Sequence, residues 1–179
     1  QRHGSIASDP ALQYALGRTF FLQGRDEEAL SALQSIRESG QWQVKGDYIQ
    51  GVLYIRSKDY ETADQKFKQV LSSQEKFRDS DEVAILATLA VARLAYELQK
   101  WGEAVDYYQK VPETSPYFGD VLYEMGWANI RQENYTAAKQ NFQLLMMSYP
   151  KHRRTLDTKH FLADLEREVG HYDEAMASY

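Results

Sequence analysis

Residues 17–33 read GRTFFLQGRDEEALSAL, and this stretch decides the fold. A small residue, Gly17, is followed by an apolar run and a turn at Gly24. Three acids, Asp26, Glu27 and Glu28, come next, then Ala29 and, one helical turn later, Leu33. The core of it recurs along the chain as Lys58-Asp59-Tyr60-Glu61-Thr62-Ala63, Lys100-Trp101-Gly102-Glu103-Ala104, Asn134-Tyr135-Thr136-Ala137-Ala138 and His171-Tyr172-Asp173-Glu174-Ala175. The five alanines stand 34, 41, 34 and 37 residues apart. Twelve residues before each lies another small residue: Gly17, Gly51, Ala92, Gly126 and Ala163. Four after each comes Leu33, Phe67, Tyr108, Phe142 or Tyr179.

A physical reading accounts for each element. Two helices approach to about 8 Å only where small side chains face one another, which sets Gly17 against Ala29 and Gly126 against Ala138. Residues four apart share a helix face, so the large residue after each alanine fills the space beside that contact. Gly24, Asp59 and Gly170 suit the intervening turn, and Glu27, Glu61, Glu103 and Asp173 favour the positive end of the second helix. Helices of about a dozen residues are marginal alone, so stability has to come from stacking.

This pattern resembles the tetratricopeptide repeat (TPR) family, whose 34-residue unit carries a small-to-aromatic spacing of four and a closing proline, here Pro116 and Pro150. The resemblance implies an all-α fold, a right-handed α-solenoid of about five helix-turn-helix units. They span 10–43, 44–77, 85–118, 119–152 and a truncated 156–179, with 1–9 read as a disordered or added N-terminal stretch. Register is least secure where Asp47, Gln50, Lys159 and Glu166 stand at usually apolar positions. The seven extra residues before the third unit are read as charged helix extensions within 72–81, with a loop as the other reading. Pro112 should end the third unit's second helix early, and Ser115-Pro116 reads as an N-cap and first helical residue of a longer helix. The chain stops at Tyr179 without a polar capping helix, so either further chain follows or that end packs on a second copy as a homo-oligomer.

In the TPR register the first helix of each unit lines the concave face, with positions 2, 5, 9 and 12 forming one stripe. The resulting partner-binding groove is Tyr14, Arg18 and Phe21 from the first unit and Lys45, Tyr48, Val52 and Ile55 from the second. The third and fourth units add Leu89, Arg93, Tyr96, Tyr123, Trp127, Ile130 and Arg131. Aromatic residues and arginine dominate binding energy at interfaces, and Trp127 is the foremost candidate. The alternative is that some of these, Leu86, Leu89 and Val52 above all, belong to the inter-repeat core. TPR proteins that grip chaperone tails use a Lys and Asn carboxylate clamp; this stripe has the cations but no matching Asn. The expected ligand is therefore a peptide or helix of another protein with apolar anchors, and the function a protein–protein interaction scaffold. The other reading is an oligomerisation or spacer module with no peptide ligand of its own.

Composition narrows the alternatives. The net charge of -5, with acids and bases interspersed, offers no basic stripe for nucleic acid. The longest nearly apolar run, Val83 to Ala92, falls short of the about 20 residues a membrane span needs, so no direct membrane insertion is expected. With no cysteine, thiolate chemistry and Cys-based zinc sites are excluded. His3, His152, His160 and His171 are scattered, and Asp157, His160 and Asp164 make only a sparse cluster; no metal and no cofactor is expected. No phosphate loop, zincin motif or nucleophile elbow occurs, so no catalytic residue is assigned and the chain is read as not an enzyme. Asn134-Tyr135-Thr136 matches a glycosylation sequon but falls in a repeat turn and is set aside. The segment from Val111 to Trp127 also looks like TPR segments of bacterial cell-envelope proteins, which leans localisation toward the periplasm or envelope, with the cytoplasm as the alternative.

Overall fold

The computed structural model describes residues 9–37, 40–73 and 81–162. Eight helices follow one another: α1 (Pro10–Leu22), α2 (Asp26–Gln34), α3 (Gln41–Arg56), α4 (Tyr60–Ser73), α5 (Asp81–Glu97), α6 (Trp101–Tyr108), α7 (Phe118–Arg131) and α8 (Tyr135–Ser148). Residues 155–162 are helical as well, and no strand occurs among the described residues. The chain divides into two compact units, Gln1–Leu94 and Ala95–Tyr179, with the division falling inside α5.

Four turns close the helix pairs, and all four have one geometry. Gly24, Lys58, Gln99 and Glu133 adopt positive φ of 73, 64, 59 and 62°. The amide after each donates five residues back: Arg25 to Phe20, Asp59 to Tyr54, Lys100 to Ala95 and Asn134 to Asn129, at 2.8–2.9 Å. The left-handed residue itself donates to the carbonyl three before it, as Gly24 does to Phe21 and Glu133 to Ile130. This is the Schellman arrangement, which satisfies the orphan carbonyls of the first helix. The residue that completes it also starts the second helix, because its own carbonyl accepts from Ala29, Ala63, Ala104 or Ala138. Asp59 and Asn134 add a side-chain cap, accepting from Thr62 N at 3.1 Å and Ala137 N at 3.2 Å.

The four repeat alanines among the described residues, Ala29, Ala63, Ala104 and Ala138, are fully buried, and so is the large residue four positions on: Leu33, Phe67, Tyr108 and Phe142 are at most 1% exposed. The small residue twelve before the alanine makes room for that large side chain more than for the alanine. A Cβ built on Gly51 would lie 2.5 Å from Phe67 Cε1, and one on Gly126 would lie 2.3 Å from Phe142 Cε1. At Gly17 the neighbours are Leu33 Cγ at 2.5 Å and the Ala29 carbonyl at 3.3 Å. At Gly126 the nearest atoms are those of the Phe142 ring, which lies close against the helix because glycine leaves space for it.

Several local expectations are corrected. Asp9, grouped with the N-terminal stretch, is the N-cap of α1: its carboxylate accepts from Ala11 N at 2.9 Å, with Pro10 in the first turn. Ser115-Pro116 does not open α7, which starts at Phe118. Instead Ser115 N donates to Pro112 O, and Ser115 Oγ accepts from Tyr117 N at 3.2 Å, tightening a turn before the helix. With 14 residues α7 matches α8 in length and is not extended. As expected of Pro112, α6 is short, ending at Tyr108. Asp47 and Gln50 do hold core positions. Asp47 is buried and accepts from Lys66 Nζ of α4 at 2.9 Å, while Gln50, 3% exposed, approaches Asp47 Oδ1 at 3.5 Å and leaves its own Oε1 without a partner. The second unit's first helix opens at Gln41, ahead of the expected Val44, and the third's at Asp81, ahead of Ile85. Residues 1–8, 38–39, 74–80 and 163–179 lie outside the described residues. The readings placed on the N-terminal stretch, on most of the 72–81 extension, on Ala163, Asp164, Glu166, Gly170 and Asp173, and on the end at Tyr179 fall there.

Candidate protein-binding face

The stripe residues fall at helical spacing along α1, α3, α5 and α7, each set on its own helix, and their surroundings differ. In the first unit α1 packs on α2 and on α3. Tyr14 of α1 meets Trp42 of α3, ring centroids 5.3 Å apart, and Lys45 Nζ lies 5.1 Å over the Trp42 ring. Arg18, one turn after Tyr14, is exposed. Burial raises the Tyr14 hydroxyl above its usual range, with the Arg18 charge pulling in the opposite direction. Phe21 is covered on one face by Arg56, whose guanidinium carbon stands 4.4 Å from the ring centroid while its Nη1 pairs with Asp26 at 2.8 Å. Tyr48 packs on Phe67 at 5.8 Å, and Val52 and Ile55 are half-buried beyond it. Tyr14, Phe21 and Tyr48 all lean on the core of Ala29, Leu33, Ile36, Ile49 and Leu53 while keeping part of their surface in solvent.

On α5, Leu89 is 1% exposed. It is a core residue, and its assignment to an accessible groove is corrected accordingly. Arg93, one turn on, is exposed.

In the second unit Tyr96 stacks edge-on against Trp101 at 4.8 Å, and Arg131 approaches the same indole at 5.9 Å. Tyr123 and Trp127 of α7 join Phe142 of α8 and Phe161 in one aromatic cluster. Trp127 lies 4.6 Å from Phe161 and 5.8 Å from Phe142, and Tyr123 lies 6.2 Å from Phe142. Ile130 packs against the same cluster, and Arg154 caps the Tyr123 face at 5.1 Å. At the start of the helix, Asp120 holds His152 at 3.4 Å and Arg153 at 3.1 Å. Tyr123 and Trp127 are therefore packing residues on one face and half-exposed on the other. Replacing both by alanine would open a cavity beside Phe142 and cost stability as well as exposed aromatic surface.

Sequence reading missed three contributors. Trp42 precedes the expected start of its unit at Val44, although Gly40 before it is a plain helix-start signal. Trp101 was seen only as part of a turn motif, and Phe161 belongs to a unit whose register was the least secure. Among the described residues no three His, Asp or Glu side chains converge as a metal site would require, and no helix is long and apolar enough to cross a membrane.

Residues 11–39 and 120–152 match the tetratricopeptide repeat family. These are the first repeat and the one built by α7 and α8. No curated protein sequence matches the chain. Among solved structures, a point mutant of MamA superposes with a TM-score of 0.70 at 16% identity, covering 94% of this chain and 87% of that one. A putative kinesin light chain from Podospora anserina with nearly identical TPR-like repeats gives 0.70 at 18% identity, covering 98% and 93%. YrrB, a TPR protein with an unusual peptide-binding site, gives 0.67 at 17% identity, covering 87% and 76%. At these identities the likeness establishes the fold, an all-α helical repeat.

Proposed function

We propose that this chain, an all-α stack of tetratricopeptide repeats, is a non-enzymatic scaffold that holds a segment of another protein against the first helices of its repeats. The observation that carries the reading is the paired surface of α1 and α3: Tyr14 against Trp42, with Lys45 over the indole and Arg18 exposed one turn away. Aromatic rings that are anchored on a core yet keep an open face lose little side-chain freedom on binding, and they are the residues that dominate interface energetics. The two cations beside them suit a peptide or helix that combines apolar anchors with acidic groups. Phe21, Tyr48, Val52 and Ile55 extend this face within the first unit; Tyr96, Tyr123, Trp127, Ile130 and Arg131 supply the corresponding face of the second.

Charge reversal at Arg18 and Lys45 is the fitting test, since neither is buried and the fold does not hang on them. With a photo-cross-linking amino acid installed at position 55, a partner captured in the source cell should be lost in Arg18→Glu/Lys45→Glu and kept in the control Gln69→Glu on α4. Equal capture by all three chains would remove the α1/α3 face from consideration.

A second reading, self-association, is favoured by Leu144 and Met147 of α8, which are 42% and 81% exposed and three residues apart. Light scattering across a concentration series separates the two: a monomeric mass throughout, unchanged by Met147→Glu, removes it. Placement in the bacterial cell envelope rests on the resemblance of residues 111–127 alone, and fractionation of the source cell tests it.

A further inference from the structure

The second unit holds a cleft, of about 310 Å³, bounded by α6, α7 and the first turns of α8. Its lining is polar in an unusual way. Asn129 of α7 is only 5% exposed, and its Nδ2 donates to Met125 O at 3.0 Å. No hydrogen bond among the described residues falls to its Oδ1. Around it stand Asp106 of α6, Gln109 at the C-terminal cap of that helix, Gln132, and Gln140 and Asn141 of α8. Among the described residues none of these five side chains has a hydrogen bond or ion pair within the chain. No Lys, Arg or His lines the cleft, so the Asp106 carboxylate faces it without a counter-charge.

A carboxylate and the carbonyl oxygen of a nine-tenths-buried asparagine, both without donors among the described residues, define the ligand by complement. It must be rich in N–H donors and positive. The carboxamides on the walls can donate as well as accept, so they can also satisfy main-chain groups next to the charged one. Val105, Met125 and Ala137 add an apolar strip. An aliphatic stem ending in a donor-rich cation fits such a lining, the stem on the apolar strip and the head on the acceptors. Guanidinium offers five donors in a rigid fork, against three on the compact ammonium of lysine, and so reaches several separate acceptors at once.

We propose that this cleft binds an arginine side chain presented by a peptide segment of a partner protein, with the guanidinium on Asp106 and Asn129 Oδ1. The site is independent of the α1/α3 face and stands or falls separately from it.

The probe is a short blocked peptide with one arginine between glycines, compared with the same peptide carrying citrulline, which keeps the shape and loses the charge. Titrated into the ¹⁵N-labelled chain, the arginine peptide should produce saturable shifts in the side-chain amide signals of Asn129, Gln132, Gln140 and Asn141. Citrulline should weaken binding roughly tenfold, and Asp106→Asn should do the same, as the loss of a charge-assisted hydrogen bond does. Asp106 is exposed, so this variant should keep the spectrum of the folded chain. Arg18→Glu/Lys45→Glu should leave the titration unchanged. Equal affinity for the two peptides, insensitivity to Asp106→Asn, shifts that map away from α6–α8, or no saturable shift would each overturn the assignment.

Discussion

Replacing Gly126 by alanine tests the packing logic of the repeat. In an exposed helix interior this change gains about 1 kcal/mol, because alanine is the better helix former. Here the new Cβ would sit 2.3 Å from Phe142 Cε1, 2.6 Å from Cζ and 2.8 Å from Cδ1. Carbon atoms rest about 3.5–4.0 Å apart, so the ring has to retreat by more than about 1 Å. It has nowhere open to go: Phe142 is 0% exposed and is in contact with Tyr123, Trp127 and Phe161. Overpacking of this kind costs about 1–3 kcal/mol, and displacement of several rings together places it at the upper end. After the propensity gain, a net loss of about 1–2 kcal/mol is expected. Urea unfolding followed by far-ultraviolet circular dichroism would read it as a lower midpoint. Gly102→Ala is the control, since a Cβ there meets nothing nearer than Gln132 Oε1 at 3.8 Å; it should raise the midpoint or leave it. Phe142→Leu should cost less in the Gly126→Ala background than alone, with a coupling of at least about 1 kcal/mol. If Gly126→Ala is as stable as the parent, or if the two changes simply add, the glycine–ring contact is not what sets the helix spacing.

Three further outcomes follow from the turns, the buried polar pair and Tyr14. Lys58→Gly, Gln99→Gly and Glu133→Gly each relieve a left-handed residue and should raise stability by about 1 kcal/mol, whereas Gly24→Ala should lower it by a similar amount; urea midpoints that move the other way would refute the shared turn geometry. Lys66→Met leaves the buried Asp47 carboxylate uncompensated and should cost about 2 kcal/mol, the pair being only partly shielded from water. Gln50→Leu, by contrast, removes an unpartnered buried oxygen and should gain about 1 kcal/mol; thermal unfolding of both variants decides the sign. Because burial raises the Tyr14 hydroxyl, its folded state favours the protonated form. That contribution to stability is complete below the ordinary tyrosine value of about 10 and is lost as pH rises through the folded value. Spectrophotometric titration should show a late-ionising phenol that disappears in Tyr14→Phe; an unchanged curve would count against the burial.

Much of the fold was legible because the repeat writes it several times over. The alanine ladder and the small residue twelve before each alanine fix which helices pair, and Phe67 and Phe142 occupy equivalent places against Gly51 and Gly126. Helix starts were less legible. Trp42 and Asp81 lie ahead of the repeat boundaries because α3 and α5 begin earlier than the family spacing implies, and a periodic template cannot register residues added before its first position. Of the binding face, the direction of each stripe residue could be read from helical period, but its depth could not. Leu89 and Arg93 share one stripe of α5, yet one is core and the other exposed. Trp127 shows the same limit, since nothing in the local pattern around it reveals that Phe161 comes to lie on its ring. The amide cleft left no periodic trace at all, because Asp106, Asn129 and Gln140 come from three helices and acquire meaning only when those helices meet.

The hydrogen bonding of the backbone carries a mechanical consequence. Outside the helices every described main-chain bond spans at most six residues, counting both ends, as in Arg25 to Phe20. What joins one helix to another is side-chain contact: Arg56 to Asp26, Lys66 to Asp47, the Tyr108 hydroxyl to Glu124, and the rings on their glycines. A sheet protein that bends must break a ladder of main-chain bonds; here a helix pair can tilt against its neighbour by re-seating side chains while the main-chain bonds within each helix stay made. The material is stiff along each helix and compliant across the stack, and a strain applied at one hairpin should be taken up at the next contact between helices before any helix melts.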